Sequence, residues 1–338
     1  MSTESSESAL PHRETYRGKH VLITGGLGLI GSALARRLVE LGADVMIVDS
    51  ADPGSSANLH NIASIRERIQ LKQLDIRSIQ TVQGLLVSQD YLFNLAGQSS
   101  HVASIEEPLT DLDINCRAQL TLLEACRHVN PGIISVFAST RQIYGRPEYL
   151  PVDERHPLAP IDVNGVGKMA GEALHLVYHR VFGLRASVLR LTNTYGPGMR
   201  IKDARQNFIG IWLRRLIEGT PFEVWGGEQR RDLTYVDDAV EAFLLAASCP
   251  RAHGRAFNVG GDEVLSLREL AELLTRTNGG GEFGVRDFPE ARKRIDIGDY
   301  YTDDGLFRRL TGWHPRVRLE QGLDHTLNYF REHFSLYV

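Results

Sequence analysis

Three glycines spaced three apart, Gly25, Gly28 and Gly31, lie within Gly25-Gly26-Leu27-Gly28-Leu29-Ile30-Gly31 and are the first residues here able to do binding chemistry. They follow a short apolar run, His20 to Thr24. They also open a stretch in which Leu29, Ile30, Ala33, Leu34, Leu38 and Leu41 fall on or near one helical face. The first N–H groups of a helix lack intrahelical partners and sit at the positive end of its dipole, so a pyrophosphate is well held there. Reaching those groups requires backbone without side chains. A second apolar run, Val45 to Asp49, ends in a carboxylate about 20 residues on, where an acidic residue bonds the ribose hydroxyls of a dinucleotide. Asp49 would repel a 2′-phosphate, which favours NAD over NADP. Asp75, after a third run, would either contact the adenine or cap a helix.

Those residues need a frame. Further strand-like runs occur at Ile69 to Leu74, Tyr91 to Leu95, Ile133 to Ala138 and Ala186 to Leu191, with helical stretches between most of them. Such alternation predicts an α/β protein with a parallel sheet covered by helices on both faces. After Leu191 the rhythm shortens. Asn207 to Glu218, Asp237 to Ser248 and Ser266 to Arg276 read as helices, Phe222 to Trp225 as a strand, and Thr277 to Gly284 as a flexible loop. The expected division is a flexible tail over 1–17, a cofactor-binding domain over 18–192 with a return at about 233–260, and a smaller lobe over 193–232 and 261–334.

Composition narrows the function. The 338 residues carry 38 Lys+Arg against 42 Asp+Glu, a formal charge of −4, which gives no support for a nucleic-acid partner. Cys116, Cys126 and Cys249 match no zinc spacing and fit a reduced cytoplasmic setting. No apolar run approaches the 18 or so residues of a membrane span, and the Ser- and Glu-rich start is not a secretory signal.

The glycine turn is followed by Asn94-Leu95-Ala96-Gly97-Gln98, Ser139-Thr140-Arg141-Gln142-Ile143-Tyr144-Gly145, Arg190-Leu191-Thr192-Asn193-Thr194-Tyr195-Gly196-Pro197 and Arg230-Arg231-Asp232-Leu233-Thr234-Tyr235-Val236-Asp237-Asp238. Together these resemble the extended short-chain dehydrogenases/reductases, and within them the NAD-dependent nucleotide-sugar epimerases and dehydratases, over about residues 18 to 330. The resemblance implies a Rossmann-type doubly wound sheet with a smaller C-terminal α/β lobe that binds a nucleotide-diphosphate sugar. It implies oxidation of a sugar carbon, usually C4, to a keto-sugar that is rearranged and reduced again. By it, Leu29, Ile30, Ile76, Leu95, Ala96, Gly97 and Gln98 border the cofactor. Thr140 bonds the reacting hydroxyl, and Lys168 bonds the nicotinamide ribose. His101, Arg141, Asn193, Asn207, Arg231 and Arg292, with Arg294 as a neighbour of the last, are the substrate-side candidates.

Two departures matter. The family places its base, a tyrosine, four residues before the lysine, on the same helix face. Here that position is Asn164, which does not titrate. It is left to cap a helix or to hold a water or a sugar hydroxyl. Tyr144, in the loop after the fifth strand, is the first candidate substitute, and His101 the second because imidazole titrates near neutrality. The other departure is Arg141-Gln142, where 4,6-dehydratases of the family carry Asp-Glu; related decarboxylases place a Glu nearby. Their absence argues against elimination and decarboxylation. Arg141 would bond a substrate carboxylate or phosphate, or stand as an exposed structural arginine. Helices of about 112–128 and 163–182 correspond to those that pair across the family's homodimer, and their apolar Leu120, Leu123, Leu174, Val177 and Val181 suit that pairing and packing on the sheet equally.

Overall fold

The structure is a computed structural model that describes residues 12–78, 82–203, 208–288 and 296–338. A short helix α1 (Arg13–Tyr16) leads into β1 (His20–Thr24), α2 (Leu29–Glu40), β2 (Asp44–Asp49), β3 (Ile69–Gln73) and β4 (Tyr91–Asn94). Next come α3 (His101–Glu106), α4 (Pro108–Leu112), a π-helical turn at Asp113–Arg117, α5 (Ala118–Val129), β5 (Ile134–Thr140), α6 (Val163–Phe182) and β6 (Arg185–Leu191). The rest of the chain supplies β7 (Asn193–Tyr195), α7 (Phe208–Ile217), β8 (Phe222–Trp225), β9 (Arg230–Tyr235), α8 (Val236–Ser248) and β10 (Ala256–Val259). It ends with β11 (Val264–Ser266), α9 (Leu267–Thr277), β12 (Phe283–Arg286), α10 (Gly305–Thr311) and α11 (Leu319–His333).

Seven strands form one parallel sheet in the order β10-β6-β5-β4-β1-β2-β3. The two directions of winding meet between β1 and β4, where open α/β sheets bind ligands beyond the strands' carboxyl ends. Alternation along β1 shows why the strands read as nearly continuous apolar runs. Val21 and Ile23 enter a core shared with Leu34, Leu38 and Phe243 of α2 and α8, whereas Leu22 enters the opposite core with Leu122, Leu123 and Tyr178 of α5 and α6. Two small sheets, β11-β9-β7 and β12-β8, belong to the shorter-rhythm part of the chain. No described helix is long and apolar enough to cross a membrane.

Two expectations need correction. The tail expected over 1–17 is anchored by its described end: Tyr16 is fully buried, its hydroxyl donates to Leu244 O at 2.7 Å, and its ring lies 5.0 Å from that of Tyr91. The loop expected over Thr277–Gly284 gives way at Phe283 to β12, which pairs in parallel with β8. Of the helix positions for which dimer pairing and packing on the sheet were both open, Leu123 is core, while Leu120, Val177 and Val181 are exposed. Tyr16→Ala is expected to cost about 3–5 kcal/mol of stability in chemical denaturation, because the pocket under α8 cannot refill.

Candidate active site

The glycine turn is folded by its own backbone and by Asp49. Gly25 N donates to Val48 O at 2.8 Å, and Leu27 N donates to Asp49 Oδ2 at 3.0 Å. A Cβ at Gly31 would lie 2.3 Å from Gly25 O, and one at Gly25, where φ is +73°, 2.8 Å from Ala96 N. Both positions therefore exclude a side chain, and the turn presses directly on the first coil of α2. Thr24 Oγ1 donates to Asn94 Oδ1 and accepts from Ala96 N, tying the turn after β1 to the loop after β4. The Asp49 carboxylate is buried, which pushes its pKa up while the N–H groups of Ala51 and Leu27 pull it down. Asp75 is held in a turn by Arg77 N and pairs with the Arg77 guanidinium, which lowers its pKa, while it still faces the cleft.

A cavity of about 510 Å³ runs from this turn across the carboxyl ends of the strands. It brings together Gly25, Gly28, Leu29, Ile30, Gly31, Asp49, Asp75, Ile76, Leu95, Ala96, Gly97 and Gln98 with Thr140, Asn164 and Lys168. A second cavity, of about 670 Å³, lies under α7 and β8 and holds Arg231 and Asp296. The two cavities share His101, Arg141, Gln142 and Asn193. Asn207, Arg292 and Arg294 lie outside the described residues.

Lys168 Nζ donates to Ala138 O at 3.1 Å, 5.0 Å from the Phe137 ring centroid. Burial pushes its pKa down to about 8, opposed by the Asp111 carboxylate. Asn164 lies one helical turn earlier. Its Nδ2 donates to Gln98 O at 2.6 Å and to Asp111 Oδ2 at 3.1 Å. Both partners accept only, so the amide orientation is fixed and Oδ1 is left as the acceptor for the cleft. The helix cap expected of Asn164 belongs instead to Asp162, whose Oδ1 accepts from Gly165 N at 2.7 Å. Asp162 Oδ2 lies 2.8 Å from His101 Nδ1 and 3.3 Å from Gln142 Nε2.

Tyr144 is not the substitute base. It is fully buried and lines neither cavity. Its hydroxyl accepts from Arg190 Nη1 and donates to Asn258 Oδ1, both at 2.6 Å. Burial pushes its pKa up to about 12, and the neighbouring Arg190 does not reverse that. Arg190 is itself paired with the buried Glu172, which also accepts from Ser139 Oγ. Arg141 is not the exposed arginine that was one alternative: Nη2 donates to Asn193 Oδ1 at 2.7 Å and the guanidinium lies 5.2 Å from the Tyr300 ring centroid. Arg231 donates to Gly298 O and lies 3.4 Å from Asp296 Oδ1; burial, with Arg141 nearby, brings its pKa down to about 10. The sequence reading passed over Asp162 and also Arg200, which lines the cofactor-side cavity and is braced by Asp203. An acidic residue directly before a helix start is the signal that would have found Asp162.

A glycine cradle at a helix N-terminus, an acidic residue after the second strand and a cavity across the strands' carboxyl ends define a dinucleotide-binding α/β fold. The chain belongs to the NAD dependent epimerase/dehydratase family, which it matches over residues 21–260. It is 31% identical to the UDP-glucose 4-epimerase of Mycolicibacterium smegmatis over 92% of this chain and 98% of that one. It is 30% identical to UDP-glucuronic acid decarboxylase 1 of Xenopus tropicalis over 93% and 72%. The UDP-glucose 4-epimerase of Thermotoga maritima, solved with UDP-glucose, superposes with a TM-score of 0.85 at 30% identity, covering 93% of this chain and 99% of that one. The family therefore spans isomerases and lyases of nucleotide sugars, with NAD as cofactor, and the cradle here fits that cofactor.

Gly31→Ala is expected to strip NAD from the purified protein, read as cofactor released on denaturation, because the new methyl group meets the Gly25 carbonyl. Tyr144→Phe is expected to keep both NAD and turnover while lowering stability by about 1–3 kcal/mol, because it leaves buried Arg190 and Asn258 groups without a partner. A loss of turnover in folded Tyr144→Phe protein would return Tyr144 to the site.

Proposed function

We propose that this protein is an NAD-dependent epimerase of a nucleotide-diphosphate sugar, acting at C4 through a keto-sugar. The observation that carries the reading is the junction of the two cavities. Among the described residues, the four that line both are His101, Arg141, Gln142 and Asn193, and none is a carboxylate. Elimination of water and loss of carbon dioxide each call on carboxylate acid or base groups beside Thr140, and Arg141 and Gln142 occupy those places. Oxidation and re-reduction at one carbon needs only a hydroxyl anchor, one proton acceptor and the cofactor.

Bound NAD supplies a reversible acceptor for the hydrogen and electron pair of the oxidised carbon. In this reading Thr140, at the end of β5, bonds the reacting hydroxyl through Oγ1, which also accepts from Gln142 N. Lys168 and Asn164 border the nicotinamide end of the cleft: Lys168 offers a cation with donors, and Asn164 offers a fixed acceptor. Arg231, braced by Asp296, faces the second cavity and suits the diphosphate. Gly25, Gly28 and Gly31 hold the cofactor pyrophosphate, and Asp49 the adenosine ribose. A homodimer through the outer faces of α5 and α6 accompanies the reading, supported by exposed Leu120, Val177 and Val181.

Incubating UDP-, GDP-, CDP- and dTDP-sugars, uronates included, with the NAD-loaded protein in heavy water and analysing the products by mass spectrometry tests the reading. An isomer of unchanged mass is the expected product. Deuterium uptake would move the reaction to C3 or C5, and loss of water or carbon dioxide would make the protein a lyase. Bound NAD without conversion of any sugar would leave a binding-only protein.

A further inference from the structure

The tyrosine that should take the hydroxyl proton is absent, and the chain must hold another acceptor within reach of Thr140. Among the described residues, four titratable groups on the elements around that threonine are already engaged or enclosed. Asp111 is buried behind Asn164 and Asn115 and lines neither cavity. Lys168 lines the cofactor cavity but donates to Ala138 O, and with its pKa at about 8 it carries its proton at neutrality. Tyr144 is sealed between Arg190 and Asn258. Asp162 has a side chain with no exposure.

His101 differs from all of these. It begins α3, where the Ser100 hydroxyl caps the helix by accepting from Ala103 N at 3.2 Å. Its side chain is 32% exposed and faces both cavities. Nδ1, buried and without an aligned hydrogen-bond partner, lies 2.8 Å from Asp162 Oδ2 in an ion-pair contact, and Nε2 is the ring nitrogen left to a ligand. Asp162 is itself fixed by Gly165 N and Gln142 Nε2. Burial raises its pKa, but His101 and the helix N–H outweigh that, so it is held below the usual carboxylate range. A carboxylate against one ring nitrogen sets the tautomer and makes the other nitrogen the proton acceptor. The charged groups on the elements packed around this ring are Asp162 and Lys168 of the α6 region, Arg141 after β5, Asp111 of α4, and Glu106 and Glu107 at the end of α3.

We infer that His101 is the general base of this site and that Asp162 is its positioning residue. This rests on the proposed oxidation of a sugar hydroxyl. The O–H bond breaks toward His101 Nε2, the C–H hydrogen leaves with its electron pair to NAD, and the C=O bond forms. The imidazolium keeps its Nδ1 proton against Asp162 and returns the other proton when the ketone is reduced.

The test uses NAD-loaded enzyme, the sugar nucleotide that the wild type converts, and two variants. His101→Gln keeps the length and polarity of the side chain and is expected to lower kcat by about 10²–10⁴-fold, with NAD content and KM held. Reduced nicotinamide at 340 nm in a single turnover reports whether the oxidation step itself is lost. Asp162→Asn retains a good helix cap. Replacing its charge withdraws support for the imidazolium, so the acid limb of kcat/KM is expected to move to lower pH while kcat falls. A merely structural Asp162 would leave that limb in place. Near-wild-type kcat in His101→Gln, or an acid limb that answers to Lys168→Met instead, overturns the assignment while leaving the proposed reaction standing. A wild type that converts no nucleotide sugar overturns the reaction and the assignment together.

Discussion

The closeness with which α6 lies against its neighbours governs everything else in the site. Where Gly167 faces the π-helical turn, an added Cβ would come 2.9 Å from Asn115 Cβ, and at Gly171 it would come 2.8 Å from Asn115 O and 3.0 Å from the Phe137 ring. The α6 backbone therefore lies directly against Asn115 and Phe137 on that face. The approach lets Lys168 reach Ala138 O at the end of β5, and lets Asn164 reach both Gln98 O and Asp111. Glycine is a poor helix former, costing about 1 kcal/mol relative to alanine at an interior position. The helix tolerates this because Asp162 caps its start and Tyr178 anchors its later turns in the core.

Much of the parallel sheet was legible because its central strands are covered on both faces and so read as apolar runs, and because a glycine turn followed by an acidic strand end has few other meanings. The return of the chain to the main sheet was expected only as a span of about 233–260, and β10 itself was not picked out. Four residues are too short a run to reveal a pairing with β6. The cofactor side of the site was readable for the same reason as the sheet: backbone geometry there dictates residue type.

The substrate side was harder. Tyr144 looked suitable because it follows Thr140 closely, yet the short turn at Arg141–Tyr144 points it into the protein, toward a buried arginine that no spacing rule connects to it. Asp162 escaped notice because its importance comes from His101, sixty residues away, and sequence order does not show that contact. Tyr16 was missed because one aromatic residue in a polar start has no periodicity to mark it. In each case the decisive fact was a pairing across the fold rather than a local pattern.

Helix α6 has a second face. Val166, Val177 and Val181 are exposed on the side away from the sheet, on the same rigid rod that carries Asn164 and Lys168 inward. A helix with its side chains is only about 10 Å across. At Gly167 and Gly171 the inner face has no side chain of its own to separate it from Asn115. The exposed valines are therefore one helix diameter from Asn164 and Lys168, and any surface that covered them would pack on the same helix that lines the cleft.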